Sequence, residues 1–307
     1  MDTTSEIKFS HLTKQFGALT AVNDLSFTVR PGRVTGFLGP NGSGKTTTLR
    51  MLLGLTNPTS GTATFGDTHY TKFTHPSTVV GAALEASSFH PGRTAQNHLR
   101  VYAPIAGVDD ARVNEVLDLV GLTHAAKQRV GGFSMGMRQR LALAAALLAD
   151  PKYLILDEPA NGLDPQGIRW LREFLRYLAS QGKTILVSSH ILSEVQQSVD
   201  DVVIISQGKL RHASPIAELS TLSTTRVRLV SPDVEKVRDI VATNNWNSET
   251  DETATYISGL STAEVGTTAF KAGIEVHELT DLTESLEEAF LRLTAPENGT
   301  TQVEVAR

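Results

Sequence analysis

The chain contains no cysteine in 307 residues, so it can hold neither a disulfide framework nor a cysteine-based metal site. A reducing compartment fits that usage. It lacks an excess of positive charge as well. Twenty-eight Lys and Arg stand against 33 Asp and Glu, a formal net charge of −5, which gives no electrostatic case for a nucleic-acid partner. No long apolar run is present. The most apolar stretch, Leu141–Ala149, is far short of a membrane span, so the chain is not expected to cross a bilayer itself, although it can dock on a protein that does. The start, Met1 to Glu6, is polar and acidic, and no secretory leader is expected from it. There is no sustained heptad run, which excludes a long coiled coil. What remains is 40% hydrophobic and 20% charged, suited to a globular protein with one large domain and a smaller one.

The densest information lies at residues 39–46, Gly39-Pro40-Asn41-Gly42-Ser43-Gly44-Lys45-Thr46. This is a complete G-x-x-x-x-G-K-[ST] phosphate loop. Its glycines let the backbone N–H groups from Gly42 to Thr46 turn inward around phosphate oxygens, where a side chain would block the approach. Lys45 adds a point charge at the β- and γ-phosphates, and the Thr46 hydroxyl can ligand Mg2+. The apolar run Val34–Leu38 reads as the strand feeding the loop. Thr46–Leu53 reads as the helix leaving it, with its positive dipole end toward the same anion.

Residues 7–38 read as short β-strands punctuated by Pro31-Gly32, and 61–65 continue them, which fits a small antiparallel layer on a nucleotide-binding core. From Thr94 to about Ala126 the pattern turns helical, with Val113, Val116, Leu117 and Val120 on one face and Gly121 closing the segment. A second helix runs from about Met135 to Leu148. Two fully apolar strands follow, 153–156 and 184–187, joined by a helix over about 166–180, the signature of a βαβ unit in a parallel sheet. Near residue 222 a polar boundary, Ser220–Thr225, opens a second region. There the order is strand 226–230, helix 232–243, strands 246–250 and 254–258, helix 261–271, strand 274–279 and a final helix over about 282–293. That βαββαβ order predicts a ferredoxin-like unit. The expected fold class is therefore α/β: a phosphate-loop NTPase core with an antiparallel β layer and a helical subdomain (about 93–148), plus a small α+β ferredoxin-like C-terminal domain. The expected boundaries are 1–221, 222–294 and a polar tail over 295–307.

Asp157-Glu158 follows directly on the strand 153–156. A carboxylate at the end of a strand beside a phosphate loop can hold Mg2+, usually through water. The next carboxylate is placed to polarise an attacking water as general base. Ser134 is a good N-cap for the helix after it, whose amides can face an anion. His190, just beyond the strand 184–187, can hydrogen-bond a γ-phosphate.

Taken in order, these pieces resemble the ATP-binding subunit of ABC transporters over residues 6–220. Gly39–Thr47 corresponds to the Walker A motif, Tyr153–Glu158 to Walker B, Asn161–Pro165 to the D-loop and Ser189-His190 to the switch histidine. Phe133–Met137 falls at the signature motif. There Ser134 and Gly136, the phosphate-facing pair, are kept, while Met135 and Met137 replace the usual Gly and Gln. By the same resemblance Phe16 stacks on adenine, and Asn41, Ser43, Thr47 and Asp164 join the nucleotide-binding set. Glu85 stands where the family has a glutamine; a carboxylate there can still ligand Mg2+ while adding negative charge near the γ-phosphate. A Glu at that place, a Ser-x-Gly-Met signature and the C-terminal Leu286–Leu291 look like the drug- and antibiotic-exporter branch, the bacitracin- or daunorubicin-resistance type.

The resemblance implies ATP and Mg2+ as cofactors. It implies a homodimer in which Ser134 and Gly136 of one copy complete the nucleotide site of the other. It also implies a separate multispan permease as partner, no nucleic acid, and a peripheral place on the cytoplasmic face of the membrane. The rival expectation is a soluble ABC ATPase of DNA repair or translation. Such proteins usually carry coiled-coil insertions or two ATPase halves, and the sequence shows neither. A third expectation, compatible with transport, makes the C-terminal unit a ligand-sensing regulator.

Overall fold

The computed structural model describes residues 6–84, 89–219, 225–251 and 253–295. They fall into two compact units, one running to Ile216 and resuming at Leu293, the other spanning Ala217–Arg292. The sequence boundary at Ser220–Thr225 lies almost wholly outside the described residues, as does Glu85 and the tail beyond Ala295.

In the first unit β1 (Ile7–Phe16) and β2 (Leu19–Val29) pair antiparallel about Gly17, whose φ of 57° is a left-handed turn conformation. The strand β3 (Val34–Leu38) leads into the phosphate loop, α1 (Lys45–Leu52) leaves it, and β4 (Ser60–Phe65) returns along the other edge of β1. A single turn, α2 (Pro76–Val79), precedes β5 (Val80–Ala83). Helices α3 (Ala95–Ala106), α4 (Asp110–Leu119) and α5 (Met135–Ala146) follow. Then come β6 (Tyr153–Leu156), α6 (Pro165–Ser180), β7 (Thr184–Ser189), the one-turn α7 (Leu192–Val195), β8 (Asp201–Ser206) and β9 (Lys209–Pro215).

Two sheets result, a three-stranded layer in the order β2-β1-β4 and a six-stranded sheet in the order β5-β6-β7-β3-β8-β9. In the larger sheet only β9 runs antiparallel to its neighbour. All five residues of β3 and all four of β6 are buried, as inner strands of a parallel sheet must be. The layers share one core. Phe9 stacks on Phe27 at 4.2 Å between ring centroids, and Phe27 in turn on Phe37 of β3 at 5.4 Å. Each such ring contributes on the order of 2 kcal/mol through burial.

The continuous helical reading over 94–126 is divided in the structure. α3 ends at Gly107, which takes φ 69°, and Asp109 caps α4 by accepting from the Arg112 N–H at 3.1 Å. Strands β5, β8 and β9 lie outside the strands expected from the sequence pattern. β5 is short and contains Gly81 and two alanines, so it carries little strand propensity.

The second unit contains β10 (Thr225–Val230), α9 (Val234–Thr243), β11 (Ser248–Thr250), β12 (Thr255–Ser258), α10 (Thr262–Lys271) and β13 (Glu278–Thr283), with the turn α8 (Ile216–Leu219) before and α11 (Leu286–Thr294) after. Its sheet is antiparallel throughout in the order β11-β12-β10-β13, the ferredoxin-like arrangement. Val227, Leu229, Val237, Ile257 and Val265 form its core. The last strand corrects the expectation of 274–279. Ile274 is instead drawn into the core at the end of α10, its N–H bonded to Ala269 at 3.0 Å, so the strand begins four residues later. The last helix starts correspondingly late, at Leu286.

Candidate active site

Parallel pairing of β6, β7 and β3 brings three chain segments to one carboxyl edge of the sheet: the loop after β3, Asp157-Glu158 after β6 and Ser188–His190 at the end of β7. Ligands of open α/β sheets bind at such an edge.

The loop leaves α1 without a cap of its own. Helices α3, α4, α5 and α6 each receive a side-chain cap, from Thr94, Asp109, Ser134 and Asp164 respectively. α1 begins at Gly44 with φ 103°, no side-chain cap and no acid in its first turn, an arrangement of the kind that suits an anion at a helix start. Gly44 is required twice over, since a Cβ there would also lie 2.5 Å from the Ala21 carbonyl oxygen. Gly42 differs from the steric expectation. A Cβ on it would meet nothing within 4 Å, and its requirement is conformational, φ 78°. Gly39 lies so close to Ile205 that a Cβ would come 2.4 Å from that carbonyl. Ser43 Oγ is buried without a hydrogen-bond partner, while Asn41 is exposed at the loop's tip.

Lys45, only 5% exposed, folds back over the loop. Its ammonium donates to the Gly39 carbonyl at 2.6 Å and lies 3.4 Å from Glu158 Oε1. Glu158 adopts φ 49°, a left-handed conformation that costs a non-glycine residue about 1 kcal/mol or more. The surroundings hold it there: its N–H donates to Ser188 Oγ at 2.9 Å and its carbonyl accepts from Asn161 at 3.1 Å. Its other carboxylate oxygen accepts from His190 Nδ1 at 2.8 Å.

Thr46 Oγ1 donates to Asp157 Oδ2 at 2.7 Å. The other oxygen of Asp157 accepts from Ser188 Oγ. A hydroxyl and a carboxylate side by side are a hard oxygen pair of the kind Mg2+ prefers. Among the described residues no group of three or more His, Asp or Glu could hold a metal alone, so phosphate oxygens and water would complete such a shell. Ser188 was not foreseen. It orients Asp157 and bonds the backbone of Glu158, and its only sequence signal is the Ser188-Ser189-His190 run ending an apolar strand.

The remaining expected residues lie elsewhere. Ser134 caps α5, accepting from Met137 N–H at 3.2 Å, and Asp164 caps α6, accepting from Gly167 N–H at 2.8 Å. Among the described residues no hydrogen bond or ion pair joins Ser134, Gly136 or Asp164 to the loop. Phe16 is half exposed at the tip of the β1–β2 turn, with the Lys14 ammonium 4.9 Å from its ring centre, so it is not a core residue. Thr47 lies in the first turn of α1.

A second concavity, of about 710 Å³, opens where β5 meets α3 and α5. Leu55, Tyr102 and Ile105 line it and are largely exposed, 65%, 41% and 71%. His98 lines it too, buried between Phe89 and Tyr102, with its Nδ1 unpartnered. Burial, helped by the charge of Arg93, pushes the His98 pKa below 6.5. No described helix is long and apolar enough to cross a membrane.

The phosphate loop at the end of β3, with the acid pair at the end of a neighbouring parallel strand, defines a P-loop nucleotide-binding protein. Comparison with known proteins narrows that class. A family model described as "ABC transporter" matches residues 22–161, and a second, of a domain of unknown function, matches 225–287. The bacitracin transport ATP-binding protein BcrA of Bacillus licheniformis is 46% identical over 216 residues, 69% of this chain and 71% of that one. The ABC transporter ATP-binding protein YhcH of Bacillus subtilis is 35% identical over 308 residues, 99% of each chain. A solved structure of an ATP-binding subunit of an ABC transporter superposes with TM-score 0.64 at 26% identity, over 71% of this chain and 92% of that one. The chain belongs to the ABC transporter ATP-binding family.

Proposed function

We propose that this chain is the ATP-hydrolysing subunit of an exporter whose membrane-spanning permease is a separate protein, and that the cargo is an antibiotic, drug or other hydrophobic compound. The export reading rests on the likeness to BcrA, named for bacitracin transport. The hydrolytic reading rests on one observation: Glu158 is held at the head of the phosphate loop between Lys45 and His190.

In this reading Gly39, Asn41, Gly42, Ser43, Gly44, Lys45, Thr46 and Thr47 enclose the phosphates of ATP, and Phe16 stacks on the adenine. Thr46 and Asp157, with Glu85 as the family resemblance implies, would hold Mg2+, which would supply neutralisation of phosphate charge. Lys45 exchanges Glu158 and the Gly39 carbonyl for the β- and γ-phosphates. Glu158, released from the ammonium, accepts a proton from water as that water attacks the γ-phosphorus, and the bridging oxygen leaves with ADP. His190 hydrogen-bonds the γ-phosphate.

Ser134, Gly136 and Asp164 act across a two-fold interface, at the nucleotide bound to a second copy. Two copies close on two ATPs, and hydrolysis reopens them. The apolar cleft beside β5 is where the permease seats, because it presents large exposed side chains that no part of the described unit covers. The chain then works as a peripheral protein on the cytoplasmic face of the membrane. Residues 1–221 form the ATP-binding domain and 222–294 an accessory domain.

Glu158→Gln tests the assignment. It should retain ATP binding, drop turnover by about 10² or more, and accumulate an ATP-dependent dimer on size exclusion. Undiminished ATPase in that variant would overturn the hydrolytic role of Glu158.

A further inference from the structure

Among the described residues the three sheets have six edge strands between them, and five are shortened or broken. β11 has three residues and β5 four. β2 and β4 each pair with β1 in a shifting register, and β9 pairs with β8 across a register shift and ends on Pro215. Features of this kind keep an exposed strand edge from pairing with another chain. β13 has none of them. It is six residues long and matches β10 in unbroken register, from Thr283 opposite Thr225 to Glu278 opposite Val230. It contains neither proline nor lysine, and all of its residues except Leu279 are exposed. Among the described residues β10 is its only strand partner.

The unit that carries β13 is acidic. Residues 217–292 hold 14 Asp and Glu against six Lys and Arg, whereas the remainder of the chain holds 19 against 22. The arginines of the sheet are already engaged, Arg226 with Glu249 at 2.8 Å and Arg228 with Glu278. Asp281 of β13 accepts from Thr262 Oγ1 at 3.1 Å, a neutral partner that leaves its charge in place. This balance separates the possible occupants of the edge. A second copy of β13 would bring two Glu278 and two Asp281 carboxylates to one ladder, where like charges repel. An anionic lipid surface would repel the unit as well. A strand rich in Lys and Arg would be attracted to it.

We propose that β13 is a docking edge that takes an extended, Lys- and Arg-rich segment by strand addition, and that the cytoplasmic side of the permease supplies this segment. Strand addition draws its affinity from main-chain hydrogen bonds and its specificity from alternate side chains. The unpaired edge of β13 offers the first, and the acidic surroundings select the second. Cytoplasmic segments of membrane-spanning proteins are enriched in Lys and Arg, which is the chemistry this edge asks for. The donor's identity rests on the export reading given above; the edge and its preference for a basic strand do not.

The test uses the full chain and a fluorescent peptide of about eight residues alternating Lys and Val, capped at both ends. Anisotropy should show saturable binding, and amide exchange over 278–283 should slow by about tenfold or more when the peptide is present. A peptide of equal length and charge, with proline in place of each valine, should bind about tenfold or more weakly, because proline cannot extend a ladder. Leu282→Lys should weaken the Lys–Val peptide by a similar factor, with ATPase rate and melting temperature unchanged. Its recovery with the membrane fraction should fall by about threefold or more. No binding of the Lys–Val peptide, equal binding of the proline peptide, or binding without slowed exchange over 278–283 would overturn the edge. Slowed exchange there that grows with protein concentration alone would place a second copy on β13 and overturn the basic segment. Membrane recovery of Leu282→Lys equal to wild type would overturn the permease as donor while the peptide results stand. A wild-type chain absent from the membrane fraction would overturn the export reading, and the donor with it.

Discussion

Lys45 and Glu158 face each other 3.4 Å apart at the head of the phosphate loop, with side chains only 6% and 20% exposed. A partly buried pair of this kind is costly to break from one side only, because the remaining charge loses its partner while still shielded from water. In the proposed mechanism a triphosphate would offset that cost by giving the ammonium stronger acceptors and leaving the carboxylate free for water, so that substrate binding and release of the base would be one event.

Lys45→Ala should weaken ATP binding by about ten- to a hundredfold, the range of a lost charge-assisted hydrogen bond set. Isothermal titration with a non-hydrolysable ATP analogue measures it. Unchanged affinity would remove the phosphate loop from the account.

Phe16→Ala should raise the dissociation constant for ATP by roughly five- to thirtyfold, since stacking on a base is worth about 1–2 kcal/mol. The exposed setting of the ring predicts no loss of thermal stability. Phe16→Tyr should bind as wild type. If Phe16→Ala binds ATP normally, adenine is held elsewhere.

Ile105→Asp places a charge in the apolar cleft at a side chain that is 71% exposed. Basal ATPase and melting temperature should stay unchanged, because exposed substitutions usually cost within about 0.5 kcal/mol. Recovery of the chain with the membrane fraction should fall about tenfold or more. A variant that sediments with membranes like wild type would place the permease contact on another face.

Stability should depend on His98 below neutral pH. Its folded pKa is depressed below 6.5, first by burial and then by Arg93, so the unfolded chain takes up a proton that the folded one resists. The contribution is complete above pH 6.5 and is lost as the pH falls from there toward the folded pKa. Urea midpoints at pH 7.5, 6.5 and 5.5 should decline less in His98→Leu than in wild type. Parallel declines would show that His98 does not titrate in this window.

Much of the site was legible because phosphate chemistry demands fixed spacing along the chain. Gly39–Thr46 could be read without a fold, and Asp157-Glu158 needed only the four apolar residues before it. Ser188 could not be read in that way, because its role depends on β7 lying beside β6, a pairing no local pattern states. In the second unit the βαββαβ order was readable from alternation and turn residues. Its final strand was misplaced because Ile274 and Val276 look like the start of a strand, whereas Ile274 packs against helix α10 and the core behind it.

The adjacency of β6, β7 and β3 has a further consequence. Because the three are parallel neighbours, backbone ladders alone bring the loop, the acid pair and His190 to one edge. The whole helical stretch between β5 and β6 hangs from that edge as a detour, and it is this detour that shapes the apolar cleft. Its length and surface can be rewritten without disturbing the ladders. In the proposed reading, the exposed face of α3 could then change to suit a different membrane partner while the loop, the acid pair and His190 stay where the ladders put them.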